Sequence, residues 1–404
     1  MPTAEKYQAP SSARALTYAA YISFVPIGIA TVLLGPMLPI LSARWSMNDA
    51  QAGALFNAQY FASTCAVALS GALVMRWGYR FAISFGLSLM ALGVALLLSG
   101  PKVVGVLCIG AYGAGLGLAV PAGNLLVAAA NPERRSASLN TLNFFWSMGA
   151  VACPFMVAAA AKSQHIPFFL FVVALFALVV AIRIALMRGK VAEPTAARDK
   201  APLLPTILSH KYPFVILAAL FLLYVGVENA FGQWIASYVK SLGTLTLAVA
   251  LATPFFFYSS LMVGRWVAPA LLRVIDEVRL VQGGLLLACA GMAGLTFSRE
   301  LPTIAASAIA AGFGLSSVYP ITISLLSRNF ASTKIGSLMF VLTNIGGGLL
   351  PWMVGVFSTR FGALKSGLYV PLLGCLGMYC LYLQNWTRSN PAAYDSPAQP
   401  RESH

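Results

Sequence analysis

Gly113-Ala114-Gly115-Leu116-Gly117-Leu118-Ala119-Val120-Pro121 and, much later in the chain, Gly312-Phe313-Gly314-Leu315-Ser316-Ser317-Val318-Tyr319-Pro320 carry one pattern twice. In both, proline follows the second glycine by six residues, and the copies stand 199 residues apart (312 − 113). A second pair agrees: Gly149 with Pro154, and Gly346 with Pro351, at an offset of 197 (346 − 149). Glycine and proline are frequent in membrane helices, so a single match carries little weight. Five positions at nearly one offset carry more, and they imply a tandem repeat of about half the chain.

Outward from these motifs, long apolar runs alternate with short polar links. Charged residues make up 9% of the chain and hydrophobic residues 59%, whereas a soluble domain has about 25% charged residues. A water-facing surface for 404 residues cannot be built from that supply. Crossing a bilayer core of about 30 Å takes roughly 20 apolar residues in a helix. Twelve runs suit that role: 15–41, 51–74, 81–98, 103–129, 137–161, 167–187, 212–238, 247–272, 281–297, 301–326, 335–357 and 364–383. They are too long for membrane-barrel strands and lack alternation, and backbone groups in lipid must pair internally, so helices follow. The expected fold class is an all-α membrane protein with twelve transmembrane helices in two pseudo-symmetric six-helix bundles, 15–187 and 212–383. The polar stretch 188–211, with Pro194, Pro202 and Pro205, reads as their linker. Residues 1–14 form the N-terminus, and 384–404 form a tail with a disordered composition. The first run is too long for a signal-peptide core and lacks a clear small-x-small site, so it is expected to remain in the mature protein.

The formal charge of +15 does not point to nucleic acid, because the basic residues are spread through short loops. With an even number of spans and a cytoplasmic N-terminus, 19 of them fall inside and 7 outside. That is the positive-inside bias, and it places both termini in the cytoplasm of a cell with this protein in its inner membrane. Cys65, Cys108, Cys153, Cys289, Cys375 and Cys380 all fall within spans, without metal-ligand spacing, and read as small packing residues. The histidines border loops or the terminus, at His165, His210 and His404. No Ser-His-Asp, metal or phosphate-loop arrangement is present in the sequence, so neither an enzyme nor a cofactor is expected. Glu133 with Arg134 and Arg135 reads as a solvated loop cluster.

Polar residues inside spans are costly and usually face partners or a watery path. In the fifth span Asn140, Asn143 and Ser147 share a helical stripe, with Trp146 beside it. In the seventh, Glu228 lies four residues after Tyr224, Gln233 four after Asn229, and Trp234 adjoins them. The eleventh places Asn344, Gly348 and Trp352 on one stripe, and the second offers Asn57, Gln59 and Tyr60. Asn124, Tyr258 and Tyr319 complete the set from spans four, eight and ten. Amides both donate and accept hydrogen bonds, and aromatic faces can cover a sugar ring, which suits an uncharged polyhydroxylated solute. An anion carrier should show arginines deep in the helices. Arg183 and Arg265 both lie toward helix ends, where snorkelling is expected. For each amide, helix-to-helix bonding remains open beside ligand contact. Of the eleven acids, Glu228 alone sits well inside a span, between Gly226 and Gly232, which are expected to loosen the helix. An ionised carboxylate there needs a partner or water. It reads either as a proton-coupling group or as a protonated acid that holds the helix or a solute hydroxyl.

The loop after the second span reads Gly71-Ala-Leu-Val-Met75-Arg76-Trp-Gly78-Tyr-Arg80. It resembles the loop signature of the major facilitator superfamily, Gly-x-x-x-Asp-Arg-x-Gly-x-Arg/Lys. Gly71, Arg76, Gly78 and Arg80 match, and Met75 replaces the acid. The glycines are expected to permit close helix approach and the arginines to hold the loop at the headgroups. Asn124-Leu-Leu-Val, Leu139-Asn140-Thr-Leu-Asn143-Phe-Phe-Trp146, Tyr224-Val-Gly226-Val-Glu228-Asn229-Ala-Phe-Gly232-Gln233-Trp234 and Asn344-Ile-Gly346-Gly-Gly348-Leu-Leu-Pro351-Trp352 extend the likeness. These stretches resemble the fucose/galactose–proton symporter branch and its bacterial glucose-transporter-like relatives. Some relatives carry acids in spans one and four, where this chain has none. The resemblance implies secondary active transport by alternating access, a proton-coupled symport of a sugar or similar neutral polar solute. The implied partners are that solute, protons and the lipid bilayer, for a chain acting as a monomer. Two other functions stay open at this point: a proton-antiport exporter of drugs or metabolites, and a membrane receptor that binds without transport.

Overall fold

The computed structural model describes residues 11–131, 134–187, 203–330 and 333–384, and every regular element among them is a helix. The first half contains α1 (Ser11–Arg44), α2 (Asp49–Ala95), α3 (Lys102–Ala130), α4 (Arg135–Lys162) and α5 (Ile166–Leu186). The short α6 (Leu203–Ser209) lies in the linker. The second half contains α7 (Lys211–Ser241), α8 (Leu247–Ala252), α9 (Pro254–Leu271), α10 (Glu277–Phe297), α11 (Leu301–Leu315), α12 (Val318–Asn329), α13 (Thr333–Phe361), α14 (Leu364–Gly367) and α15 (Tyr369–Leu383). Glu133, most of the linker and the tail expected from residue 384 onward fall outside the described residues, apart from Gln384 itself. Phe168, Phe171, Leu175, Leu178 and Ile182 recur at three and four residues on the exposed face of α5, an apolar stripe suited to lipid.

The run boundaries differ from expectation in two ways. Spans two and three are one element, the 47-residue α2. At 1.5 Å per residue it is about 70 Å long, twice the bilayer core, so it must turn. The turn is at Gly78, with φ +81° and ψ 167°, a backbone region essentially confined to glycine. A Cβ would meet nothing within 4 Å at Gly78, nor at Gly71. The expected close helix approach at these two glycines is therefore absent, and Gly78 is required for its backbone alone. Gly78→Ala should lose about 1–3 kcal/mol. Gly71→Ala, in an equally open place on helical backbone, should be neutral or slightly stabilising; thermal unfolding in detergent would check the pair.

The second difference is that spans eight, ten and twelve each break, and each break precedes a proline. Proline cannot donate to the carbonyl four residues earlier. Before Pro254, the Ala250 carbonyl instead accepts from Thr253 Oγ1 at 2.6 Å. Pro320 follows the Ser316–Ser317 break between α11 and α12, and Pro371 follows the break at Leu368.

The sequence repeat is a repeat of close packing. A Cβ on Gly113 would stand 2.4 Å from the Gln59 carbonyl oxygen, and one on Gly115 2.5 Å from that of Gly86. Thus α3 is wedged between the two arms of α2. In the second half, Gly312 would approach the Phe257 oxygen to 2.3 Å and Gly314 the Gly284 oxygen to 2.3 Å, wedging α11 between α9 and α10. Gly149 of α4 lies on α1, 2.1 Å from the Val25 oxygen by the same measure, and Gly346 of α13 lies on α7, 1.9 Å from the Leu222 oxygen. Four cysteines (Cys108, Cys153, Cys289, Cys375) are buried packing residues as expected, whereas Cys65 and Cys380 are exposed.

The halves meet through α1 on α7, α2 on α13, and α4 on α8 and α9. At the helix ends away from the linker the fit is tight. Ala50 N–H donates to Thr359 Oγ1 at 2.9 Å, Lys240 Nζ to the Pro39 carbonyl at 3.2 Å, and the Ser358 hydroxyl to Asp49. A Cβ on Gly355 would stand 2.1 Å from the Asp49 oxygen across this seam. Toward the linker end, α4 instead presents Asn140, Asn143 and Phe144 exposed. The halves are thus closed at one end around a site in mid-bundle.

Candidate functional site

The site is built on α7, which runs unbroken from Lys211 to Ser241. Gly226 and Gly232 do not loosen it. They admit neighbours: a Cβ at Gly226 would lie 2.9 Å from the Gly346 oxygen, and one at Gly232 2.8 Å from the Tyr258 hydroxyl. Glu228 faces inward, and its Oε2 stands 3.5 Å from Arg265 Nη2 of α9. Arg265 Nη2 also donates to the Tyr224 hydroxyl at 3.3 Å. The two charged side chains are 26% and 12% exposed, so bulk water does not fully screen them. Arg265 Nε is buried without a partner, an omission that costs about 1–3 kcal/mol when nothing else occupies the site.

Aromatic rings enclose the pair. Tyr319 stacks on Tyr224, with centroids 5.2 Å apart at 21°. The Trp146 ring of α4 lies 6.0 Å from the Arg265 guanidinium, within cation–π reach, and its Nε1 donates to Thr31 Oγ1 at 3.3 Å. Tyr60 crosses from α2 to lie beside Asn229 and Glu228, and Tyr258 joins them. Gln233 Nε2 donates to Asn229 Oδ1 at 2.6 Å, while Gln233 Oε1 is buried without a partner. The expected residues Tyr60, Trp146, Glu228, Asn229, Gln233, Tyr258 and Tyr319 are therefore brought together, with contributions from both halves.

Arg265 corrects an expectation. It does not snorkel; it turns inward to Glu228. Its neighbour Trp266 is 83% exposed and takes the outer face. The available signal was its spacing of seven from Tyr258, two helical turns along one face. Tyr224 likewise belongs to the site and not only to the stripe below Glu228.

Other expected residues lie elsewhere. Trp234 is wholly buried and donates from Nε1 to the Pro351 carbonyl at 2.9 Å. Gln59 accepts from the Tyr112 hydroxyl at 3.1 Å inside the first half. Asn124 and Asn143 donate to Val120 and Leu139 carbonyls on their own helices at 2.8 and 3.0 Å; Asn143 and Asn140 are exposed. Asn57 packs beside Gly348, and the Trp352 backbone sits against Gly53. Asn344 is half-buried on α13. At the signature loop, Arg76 covers the Trp77 ring at 5.0 Å, and Arg80 donates to the Met187 carbonyl, tying the bend in α2 to the end of α5.

Two wedged helical halves around a shared, partly charged interior define a membrane carrier. Residues 20–355 match the sequence profile of the Major Facilitator Superfamily, and the chain belongs to that family. It is 25% identical over 362 residues to the glucose/galactose transporter of Brucella abortus biovar 1 (strain 9-941), covering 83% of this chain and 85% of that one. Its fold is similar to that of the D-xylose–proton symporter, with a TM-score of 0.75, 17% identity and coverage of 93% and 98%. It is also similar to the E. coli fucose:proton symporter, with a TM-score of 0.63, 20% identity and coverage of 92% and 98%. The chain is a multi-pass membrane transporter and not an enzyme.

Proposed function

We propose that this transporter carries a sugar or similarly polyhydroxylated solute into the cell together with protons, by alternating access between its two halves. The observation that carries the reading is the Glu228–Arg265 pair, set among Tyr60, Trp146, Tyr258 and Tyr319 where the halves meet. A carboxylate in that place can take a proton from one side and release it to the other. The phenols of Tyr60, Tyr258 and Tyr319 suit hydroxyl groups, and the named relatives, a glucose/galactose transporter and two sugar–proton symporters, agree in substrate class. The expectation of an uncharged solute drew on the amides, the aromatic rings and the family resemblance; its argument against an anion, that Arg265 snorkels, does not hold, because Arg265 turns inward to Glu228.

The reading places the protein in the inner membrane, with both termini and the 188–211 linker cytoplasmic, bundles at 15–187 and 212–383, and transport by a monomer. Cysteines introduced in a Cys-less background should then be labelled from inside at Lys200 and from outside at Lys102. Labelling of Lys200 from outside would reverse the orientation. For coupling, Glu228→Gln in proteoliposomes should still exchange a bound sugar across the membrane and fail to accumulate it under an imposed pH gradient. Wild-type accumulation would remove Glu228 from coupling.

A further inference from the structure

We infer that the solute is an acidic sugar of the hexuronate type, whose carboxylate docks on Arg265 in the place that Glu228 vacates when protonated. The inference rests on the proton role of Glu228 proposed above and concerns the charge of the solute.

Charge balance within the site sets the charge of the solute. Facing Glu228 are Arg265 and Tyr258 from α9, Tyr319 from α12, Tyr60 from α2 and Tyr224 from its own helix. Among them only the guanidinium carries a fixed charge. With Glu228 ionised the site is neutral. A proton arriving on Glu228 converts it to a neutral acid and leaves Arg265 as an uncompensated cation within the membrane, which is strongly unfavourable. A neutral sugar does not repair that, whereas a carboxylate does. The empty carrier then holds an arginine and a glutamate, and the loaded carrier holds an arginine, a glutamic acid and the solute carboxylate. The two states have equal charge. A proton alone leaves the site positive, and an anion alone leaves it negative. Neither can be carried without the other, so the coupling needs no second acid, and spans one and four supply none.

The geometry of the guanidinium fits this exchange. Both of its bonds leave from Nη2. Nε is buried without a partner. Arginine donors are arranged as a fork that matches a carboxylate with two bonds. The Trp146 ring lies 6.0 Å from the guanidinium, and Tyr319 is stacked on Tyr224, the other partner of Nη2. An independent feature agrees. A cavity of about 610 Å³ at the closed end of the seam is lined by Lys240, Arg299 and Lys365 with a single carboxylate, Asp49. A basic mouth raises the local concentration of anions.

The test is a thermal-shift comparison of the purified full-length protein with D-galacturonate, D-galactose and pyruvate, at mildly acidic and mildly alkaline pH. Galacturonate should stabilise, more so at acidic pH, and its affinity should exceed that of galactose by about tenfold or more, the ratio that a charge-assisted hydrogen bond brings. Galactose binding as well as galacturonate would overturn the carboxylate and leave the sugar reading standing. Stabilisation by pyruvate alone would keep the carboxylate site and overturn the sugar. No shift with any probe would remove both. Arg265→Gln should abolish the galacturonate shift; an unchanged shift overturns the docking. Should that variant fail to fold, Glu228→Gln decides, because its amide mimics the protonated acid. Its galacturonate affinity should no longer vary with pH, and a retained pH dependence sinks the exchange.

Discussion

Arg265→Leu is expected to lower the stability of the protein by about 3 kcal/mol, the low end of the cost of stripping one partner from a buried ion pair, because Arg265 keeps 26% of its side chain exposed. Glu228 would be left with its carboxylate among Tyr60, Tyr224, Tyr258 and Tyr319 and no cation. The double variant Arg265→Leu/Glu228→Leu should recover most of the loss, since replacing both charges with apolar groups removes the desolvation cost along with the attraction. Three melting temperatures in detergent, for wild type, single and double variants, check this. Equal losses in single and double variants would show that Arg265 stabilises through its contact with Trp146 and its packing, and not through Glu228. The double variant should be stable and inactive, which separates the pair's role in function from its role in folding.

The fold was legible because its causes are local and repetitive. Length and apolarity gave the twelve runs, and the Gly–Pro repeat reported the places where α3 and α11 are wedged and where α4 and α13 lie on α1 and α7. The bend at Gly78 was legible as a loop but not as a single bent helix, because a continuous helix through a polar link leaves no apolar gap to mark it. The site was legible where spacing puts residues on one stripe, as with Tyr224 and Glu228, and where a costly residue stands alone, as Glu228 does. It was illegible where the direction of a long side chain decides the outcome. Arg265 lies six residues from the end of α9, about 9 Å along the axis, from where a guanidinium reaches either the headgroups or the interior. Trp234 shows the reverse: an aromatic beside polar neighbours in sequence, which faces Phe56 and the Pro351 carbonyl in the packed bundle.

Gly346→Ala should cost about 3 kcal/mol, at the upper end of overpacking penalties, and should abolish transport. Its Cβ would stand 1.9 Å from the Leu222 carbonyl oxygen, and a backbone atom cannot rotate away as a side chain can. The contact is reciprocal, because Gly226 lies against the Gly346 oxygen in turn. To relieve it, α13 must leave α7, the helix that holds Glu228. Both helices belong to the second half, so no conformation of the transport cycle offers relief. Gly355→Ala meets a comparable obstacle, 2.1 Å from the Asp49 oxygen, but across the seam between the halves. There the halves can part. Gly355→Ala should therefore leave the melting temperature nearly unchanged and shift the population toward the conformation open at this end, because the clash penalises one state only. The readout is labelling by a membrane-impermeant thiol reagent at Ser42→Cys or Ser237→Cys, two positions in the cavity at the closed end, in a Cys-less background. Labelling should rise with Gly355→Ala and stay at its starting level with Gly346→Ala in whatever fraction remains folded. A large loss of stability in Gly355→Ala without increased labelling would mean that the two halves do not move as rigid bodies about this seam.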